Sequence, residues 1–443
     1  MATASYSPTE THIEPRIIPR PEHCITRADI SDNALKVLYR LKDGGYAAYL
    51  VGGGVRDLLL GLHPKDFDVA TDARPEQVRA LFRNCRLIGR RFRLAHILFG
   101  RNIVEVATFR ALLGEDTLDD DKDISFNESG RIVRDNVYGT LEQDAVRRDF
   151  TVNALYYNIA DFSVVDYVDG MHDLEARTLR LIGEPRPRYH EDPVRMLRAV
   201  RFATKLDFEI EPEALGLIGE LAPLLRDIPP ARLFDEVLKL FHGGRAVDTF
   251  EALRQHRLFE YLFPATGKGL DDDQDGYVHA LITSALRNTD ERIGIGKPVT
   301  PAFLYAVMLW PALHARADRY EEEEGMRMTQ ALATAAREVI HEQTTTTSIP
   351  RRFGGAMMDI WLLQPRFLNR RGKRALSLLT HPRFRAAYDF MCLRASVGEP
   401  LDEQCEWWTQ IQEVSPGEQR QMASVSGRGR RPRKRPAGRQ ASG

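Results

Sequence analysis

Two aspartates separated by one phenylalanine, Asp66-Phe67-Asp68, form the pattern in this sequence that best suits metal-assisted chemistry. In a β-strand, residues i and i+2 project to one face, so both carboxylates would lie close together while Phe67 turns to the core. The two negative charges would then repel each other. Mg²⁺ offsets this repulsion and prefers one or two protein carboxylates plus substrate phosphates. Two ions about 3.5–4 Å apart can stabilise both oxygens of a nucleotidyl transfer. Glu105 is a third candidate if its strand lies beside the first; an ordinary outward-facing glutamate is the alternative.

Three consecutive glycines, Gly52 to Gly54, stand between an apolar strand and an apolar helical stretch. Such a turn lets backbone N–H groups approach an anion at a helix N-terminus, which suits a phosphate group. A plain tight turn is the alternative. The nearby pair Asp66 and Asp68 favours phosphate binding.

The stretch from Arg147 to Leu155 interleaves two arginines, an aspartate and an asparagine with apolar residues. This pattern suits polar groups that lie against a buried face and bind a triphosphate and a ribose. Surface salt bridges at a helix N-terminus are the alternative.

A third polar stretch repeats every three residues, at Asp192, Arg195, Arg198 and Arg201. On a helix this spacing forms one stripe beside a core-facing set. An aspartate acceptor next to an arginine donor can read the Watson–Crick edge of a base, and the later arginines could bind phosphates. The alternative is a row of surface ion pairs, each worth well under about 1 kcal/mol and therefore a weak reason for the stripe.

Short β-type runs and helical patterns alternate around these residues. The β-type runs cover 47–51, 67–70, 94–99 and 102–109, and helical patterns cover 34–41 and 75–82. After Gly183 the strands stop and helical periodicity continues, with breaks near 263–276 and 342–350. Residues 114–131 are acidic and poor in apolar groups, which indicates a mobile loop. The pattern predicts an α/β domain followed by all-α domains.

The composition of the 443 residues is ordinary for a globular protein, with 43% hydrophobic and 28% charged residues, which excludes wholesale disorder. No apolar run approaches the roughly 20 residues of a membrane-spanning helix, and the polar N-terminus lacks a secretory signal. We therefore expect a cytoplasmic protein. The four cysteines have no zinc or disulfide spacing and are expected to be free thiols.

The net charge of −1 conceals an uneven distribution. Of the 62 Lys and Arg residues, seven lie in residues 427–443, which contain no acid, so 55 remain against 63 Asp and Glu residues elsewhere. Runs rich in Pro, Gly and Arg are commonly disordered and bind polyanions. A merely solubilising tail is the alternative.

The chain resembles the bacterial poly(A) polymerases through five motifs in family order: LVGGGVRDLLLG, KDFDV, RRDFTVNALYY, DYVDGMHDL and RYHEDPVRMLRAVRF. These enzymes share the class II tRNA nucleotidyltransferase/poly(A) polymerase family with CCA-adding enzymes. The segment LIGRRFRLAHI (87–97) and the basic tail are similar to features of the polymerases. The resemblance implies an α/β, polymerase β-like nucleotidyltransferase head (28–172), then an all-α base-recognising neck (173–264) and RNA-binding body (265–412). The ends, 1–27 and 413–443, are expected to be disordered.

The resemblance also assigns roles to individual residues. It implies metal ligation by Asp66 and Asp68, a catalytic role for these two and Asp149, and nucleotide binding by Gly52, Gly53, Arg56, Arg148, Asn153, Asp192, Arg195, Arg198 and Arg201. Among the nucleotide ligands, Asp192 and Arg195 select the base. Candidate RNA contacts are Arg366, Arg370, Arg371, Lys373 and Arg374, with aromatic help from Trp361, and the tail residues Arg430, Arg431, Arg433, Lys434 and Arg435. For Trp361, which stands in an apolar helical run, a place in the core is the alternative.

The implied activity is template-independent addition of AMP from ATP to RNA 3′ ends, with release of pyrophosphate. The implied cofactors are two Mg²⁺ ions, with Mn²⁺ as a substitute. The partners are the 3′ ends of mRNA and small RNAs, with RNA-decay or RNA-chaperone proteins as candidates. Two alternatives stay open, a CCA-adding tRNA nucleotidyltransferase and a catalytically inactive RNA-binding protein on the same scaffold.

Overall fold

The computed structural model describes residues 13–89, 93–111, 124–126, 132–135 and 137–425. The chain divides into two compact units, Met1–Leu221 and Ala222–Gly443. This boundary lies inside the predicted neck. All residues expected to bind metal or nucleotide belong to the first unit.

A mixed β-sheet forms the centre of the first unit. Its strands, in spatial order, are β1 (Arg16–Ile18), β10 (Val164–Asp166), β9 (Leu155–Asn158), β2 (Ala48–Val51), β3 (Asp68–Thr71), β6 (Asn102–Thr108), β5 (Leu94–Phe99) and β4 (Cys85–Ile88). Two short pairs lie outside this sheet, β7 (Ile124–Phe126) with β8 (Ile132–Asp135) and β11 (Thr178–Leu179) with β12 (Glu209–Ile210). Within the main sheet, β3 and β6 pair in parallel, whereas the other described neighbours are antiparallel.

The helices of the first unit include Val194–Leu206, which carries Arg195, Arg198 and Arg201. They are α1 (Asp32–Asp43), α2 (Gly53–Leu59), α3 (Pro75–Leu81), α4 (Leu141–Val146), α5 (Gly170–Glu175), α6 (Pro185–Glu191), α7 (Val194–Leu206) and α8 (Pro212–Leu221). The hydroxyl of Ser31 caps α1 by accepting a hydrogen bond from the backbone N–H of Ala34 (3.3 Å). Pro75 occupies the first position of α3, as predicted.

The sheet register brings the predicted site residues to one end of the central strands. Val51, the last residue of β2, pairs with both Asp68 on β3 and Tyr156 on β9. On the other side of β3, Asp68 pairs with Glu105 on β6. The glycine turn that follows Val51 therefore begins beside the first residue of β3.

The second unit is helical throughout its described part. Its helices are α9 (Pro230–Phe241), α10 (Ala246–Gln255), α11 (Phe259–Leu262), α12 (Pro264–Asp271), α13 (Tyr277–Gly294), α14 (Pro301–Glu322), α15 (Met328–Thr346), α16 (Arg351–Phe367), α17 (Gly372–Leu379), α18 (Phe384–Ser396), α19 (Asp402–Glu413) and α20 (Pro416–Val425). Trp361 and Trp408 are fully buried, and each indole N–H donates to a backbone carbonyl. Between Ile13 and Val425, no helix of the described segments is long and apolar enough to cross a membrane.

Parts of both ends that were expected to be disordered belong to the fold. β1 pairs with β10, so residues 16–18 form one edge of the main sheet. At the other end, α20 packs on the helical core through Ala423, which is 2% exposed. Residues 1–12 and 426–443, including the five tail candidates for RNA contact, lie outside the described residues.

Four expectations, about cysteines, helix breaks, strands and a loop, need correction. Cys392 and Cys405 are not free thiols: they form a disulfide between α18 and α19, a pairing that depends on how these helices pack. Helix α12 and the end of α15 occupy the predicted breaks near 263–276 and 342–350. β12 is a short strand beyond Gly183, and β7 lies within the predicted mobile loop 114–131, whose other residues are outside the described segments.

Candidate active site

The glycine turn, a predicted catalytic carboxylate and an arginine meet at one end of the sheet. Gly52 precedes α2 with a φ of 73°, a left-handed conformation that glycine adopts without strain. A Cβ atom added to Gly52 would lie 3.8 Å from Nη1 of Arg148 and 3.9 Å from Oδ2 of Asp68. The turn expected to bind phosphates therefore lies within reach of both groups.

Asp68 begins β3, Asp66 precedes it by two residues, and Phe67 between them is buried as predicted. The Asp68 carboxylate is accessible to solvent on one side and surrounded by protein on the others. This burial raises the pKa of Asp68 to about 6; the negative charge of Glu105 adds to the effect and Arg148 opposes it. Oxygen donors with accumulated negative charge fit a hard divalent cation.

Glu105 lies on β6 directly beside Asp68, as a third metal ligand requires. Its side chain is also 48% exposed, and Oε1 lies 3.1 Å from Nε2 of His96 on β5. Within the segments that the structure describes, no three His, Cys, Asp or Glu side chains are arranged to hold a metal ion. Ligation by Glu105 therefore stays a prediction.

A buried carboxylate, Asp144 on α4, holds Arg148 in place. Asp144 is 1% exposed and accepts hydrogen bonds from Arg147 (2.8 Å), Arg148 (2.9 Å) and the hydroxyl of Tyr156 (2.7 Å). Arg148 also lies over the Tyr156 ring, 5.1 Å from its centroid. Burial opposes ionisation of Asp144, but the charges of Arg148 and Arg147 and these hydrogen bonds outweigh it and lower the pKa of Asp144 to about 2.

Asp149 joins the RRDFTVN motif to α7. Its carboxylate accepts hydrogen bonds from Nε of Arg198 (2.7 Å), Nδ2 of Asn153 (3.2 Å) and the backbone N–H of Phe150 (2.8 Å). Burial disfavours the charged form of Asp149, but Arg198 and the hydrogen bonds prevail and lower its pKa. Because both oxygens have protein donors, the structure favours positioning of the nucleotide-binding groups over direct metal ligation.

Arg56 is 2% exposed and acts within the same network. Its Nη1 donates to Oδ1 of Asn153 (2.6 Å), and its Nε donates to Asp57 (2.9 Å). The guanidinium also lies over the ring of Phe202, 5.1 Å from the centroid. In this arrangement Arg56 orients the Asn153 carboxamide.

Three of the predicted nucleotide-binding arginines pack on the ring of Phe202 on α7. The guanidinium carbons of Arg56, Arg198 and Arg201 lie 5.1, 5.1 and 4.7 Å from its ring centroid. Such contacts contribute about 0.5–2 kcal/mol each, depending on desolvation. The arginine stripe of α7 is thus anchored on an aromatic ring that the sequence did not single out.

The two residues expected to select the base lie at adjoining helix ends. Asp192 follows α6 and accepts a hydrogen bond from the backbone N–H of Val194 (3.3 Å), so the expected stripe begins before α7. Arg195 is 8% exposed, and its Nη1 donates to the carbonyl of Arg188 and to Oε2 of Glu191, both at 2.7 Å. Glu191 therefore holds Arg195.

The RNA candidates of the second unit lie near the start of α17. Arg366, Arg371, Lys373 and Arg374 are exposed. Arg370 donates to the carbonyl of Glu403 (3.3 Å). Trp361, by contrast, is fully buried with its N–H bound to the carbonyl of Ala306 (3.0 Å), so it cannot stack on RNA bases in this fold.

Sequence reasoning missed Asp144, Tyr156 and Arg188, which hold the predicted ligands. Asp144 precedes Arg148 by four residues, a helical ion-pair spacing that could have identified it. Arg188 has the same kind of local signal in its i,i+3 ion pair with Glu191, but its contacts with the backbone carbonyls of Arg147 and Arg148, about 40 residues away, had none.

Three family models match the chain in succession. "Poly A polymerase head domain" covers residues 48–180, "Probable RNA and SrmB- binding site of polymerase A" covers 207–269, and "Polymerase A arginine-rich C-terminus" covers 324–441. The first match contains the glycine turn, the carboxylates and the RRDFTVN motif.

Two curated relatives extend this similarity over nearly the whole chain. Poly(A) polymerase I of Salmonella typhi is 52% identical over 92% of this chain and 88% of its own, and that of Haemophilus influenzae is 48% identical over 95% and 93%. The Bacillus stearothermophilus CCA-adding enzyme in complex with CTP shares the fold more distantly, with a TM-score of 0.50 and 26% identity over 85% of this chain and 80% of its own. The family and fold predicted from the motifs are confirmed: the chain belongs to the poly(A) polymerase family of nucleotidyltransferases.

Proposed function

We propose that this protein adds AMP from ATP to the 3′ ends of RNA without a template. The RNA 3′-oxygen forms a bond to the α-phosphorus of ATP and loses its proton, while the bond from that phosphorus to the pyrophosphate oxygen breaks. The observation that carries the proposal is the meeting of Gly52, Asp68 and Arg148, which supports metal binding by Asp68 beside phosphate binding by the glycine turn. Relatives at 48–52% identity that are named poly(A) polymerase I support it.

Asp66 and Asp68 are the residues that would hold Mg²⁺, with Glu105 as the third ligand. Mn²⁺ suits the same oxygen donors. When bound, two such ions activate the attacking hydroxyl and neutralise the charge of the leaving pyrophosphate. Desolvation and the charge of Glu105 raise the pKa of Asp68 to about 6, and a bound cation would favour its charged form.

The remaining site residues bind and orient the nucleotide. Gly52 and Gly53 expose backbone N–H groups to the triphosphate, and Arg148 is held beside them by Asp144 and Tyr156. Asp192 and Arg195 select the base. Asn153, Arg198 and Arg201 contact the ribose and the phosphates. Asp149 orients Arg198, and Arg56 orients Asn153.

RNA binding is supported by the family model that covers residues 207–269. We extend it to Arg366, Arg370, Arg371, Lys373 and Arg374 and to the basic tail, without base-specific reading. The RNA substrates, mRNA and small RNAs, the RNA-decay or RNA-chaperone partners and the cytoplasmic location are parts of this proposal.

Nucleotide choice tests the proposal. Purified protein with Mg²⁺ should extend an unstructured oligoadenylate at least about tenfold faster with ATP than with CTP, because Asp192 and Arg195 discriminate at the base edge. Incorporation is measured side by side on the oligoadenylate and on tRNA trimmed of its CCA end. Ordered addition of CTP and then ATP to the trimmed tRNA alone would establish a CCA-adding enzyme instead.

Removal of residues 427–443 tests the basic tail. RNA binding should weaken, and the negative slope of log K against log salt should become less steep by up to about 5. Each phosphate contact that is lost means that RNA binding releases about 0.7 counterion fewer on single strands. Binding is measured by fluorescence anisotropy between 50 and 300 mM salt, about the range in which such slopes are resolved. An unchanged slope would refute an RNA-binding role for the tail.

A further inference from the structure

Arg188 on α6 touches both halves of the nucleotide site. Its Nη2 donates to the backbone carbonyls of Arg147 (3.0 Å) and Arg148. Its Nη1 donates to Oε2 of Glu191 (2.7 Å), the oxygen that also accepts from Nη1 of Arg195 (2.7 Å). A continuous chain of hydrogen bonds therefore runs from the phosphate-site residue Arg148 to the base-site residue Arg195.

A second contact closes this chain into a ring. Nη1 of Arg195 donates to the backbone carbonyl of Arg188 (2.7 Å), so the side chain of each arginine is bound to Glu191 and α6 holds both. The spacing between Arg148 and Arg195 is therefore held rigidly, because the planar guanidinium of Arg188 fixes the directions of its donors. A lysine at position 188 keeps the charge and three donors, but these belong to one nitrogen, whereas Arg188 reaches the carboxylate and the two carbonyls with two separate nitrogens of a rigid plane.

The burial and the charge of Arg188 argue against a role in stability alone. Its side chain is 9% exposed, and its Nε has no acceptor among the described residues. Burial, followed by the neighbouring charge of Arg195, lowers the pKa of Arg188, so the protein bears a cost for keeping this cation. Its ion-pair partner Glu191 has a side chain that is 53% exposed, and exposed ion pairs add little to stability, so the pair alone does not explain the residue.

We propose that Arg188 is a positioning residue that holds the phosphate-binding Arg148 at a fixed spacing from the base-selecting Arg195. This inference rests on the proposed function. With the spacing fixed, a nucleotide can engage both arginines only if its base fits, so base fit and triphosphate alignment are coupled. Without Arg188, triphosphates bind at Arg148 whatever their base, and selectivity for ATP decreases.

The test compares Arg188→Lys with Arg186→Gln on the same helix. Arg186 forms an exposed ion pair with Glu220 and has no contact with the nucleotide residues named above, so it is the matched control. For R188K we expect a rise of about tenfold in KM for ATP and a similar fall in the ATP-to-CTP ratio of kcat/KM, as for loss of a charge-assisted hydrogen bond, while kcat changes less. R186Q should match the wild type.

Thermal unfolding and circular dichroism are recorded for each variant. A structural role alone would lower Tm and the active fraction but leave KM and nucleotide selectivity unchanged, and that result would overturn the inference. Glu191→Gln, which removes the charge shared by Arg188 and Arg195, should shift selectivity in the same direction. If R188K does not fold, Arg188→Gln is measured in its place, and an unaltered ATP-to-CTP ratio in that variant would overturn the inference. A wild-type protein that fails to add AMP would refute the proposed function; an active wild type with an unaltered R188K refutes only the positioning role.

Discussion

Asp68→Asn should reduce RNA extension by at least about 10³-fold, because loss of metal-centred charge stabilisation removes several kcal/mol and about 4 kcal/mol corresponds to that factor. The replacement keeps the size of the side chain, so the loss would come from charge and ligation. RNA affinity should stay within about twofold of the wild type, since phosphate contacts elsewhere dominate it. Extension is measured by single-turnover incorporation of ATP, and affinity by fluorescence anisotropy.

The stability of this variant separates catalysis from folding. Burial and the charge of Glu105 raise the pKa of Asp68 to about 6, which means that the ionised form opposes folding at neutral pH. The Tm of D68N should therefore equal or exceed that of the wild type. Asp43→Asn, at an exposed position at the end of α1, is the control and should leave both activity and Tm unaltered. Full activity in D68N would refute the metal assignment, whereas an inactive wild type would favour the catalytically inactive scaffold.

The part of the site that rests on local sequence could be predicted well. Strand periodicity predicts Asp66 and Asp68 on one face around a buried Phe67. Phe67 is buried and Asp68 begins β3, whereas Asp66 precedes the strand, so the shared face of the two carboxylates stays a prediction. The placement of Glu105 was conditional on neighbouring strands, and the parallel register of β3 and β6 fulfils that condition. Residue spacing carries such information because strand geometry repeats every two residues.

Interactions between distant segments could not be read from spacing. Arg198 binds Asp149 across 49 residues, and Arg56 reaches the Phe202 ring only because α2 lies beside α7, whereas Arg198 and Arg201 share α7 with that ring. The same reason explains the disulfide between Cys392 and Cys405, which needs α18 and α19 side by side. Arg195 binds Glu191, a neighbour that the predicted stripe of Asp192, Arg195, Arg198 and Arg201 did not include, and Asp192 itself precedes α7.

Asp144→Asn should weaken both the fold and the nucleotide site. It removes the charge that pairs with Arg147 and Arg148 in a buried position, and such a loss costs about 3–5 kcal/mol. For a unit of this size, a loss at the lower end of that range, about 3 kcal/mol, corresponds to a fall in Tm of roughly 6–12 °C. Arg148 would no longer be fixed beside Gly52, so KM for ATP should rise about tenfold. Tyr156→Phe removes one hydrogen bond to Asp144 and should cost only about 1 kcal/mol.

The dependence on pH identifies Asp144 as the cause of this loss. Its pKa falls from 3.8 to about 2 on folding, so the ion pairs contribute their full stability above about pH 5. As the pH falls through 4 towards 2, Asp144 binds a proton in the unfolded chain before it does so in the folded protein, and the stabilisation disappears. At about 1.4 kcal/mol per pKa unit, close to half of this stabilisation is lost by about pH 3. The free energies of unfolding of wild type and D144N, measured with urea, should therefore differ by a constant amount from pH 8 to about 5 and converge below it. A difference that stays constant down to about pH 3 would show that Asp144 titrates equally in both states and that its guanidinium partners do not stabilise its charge.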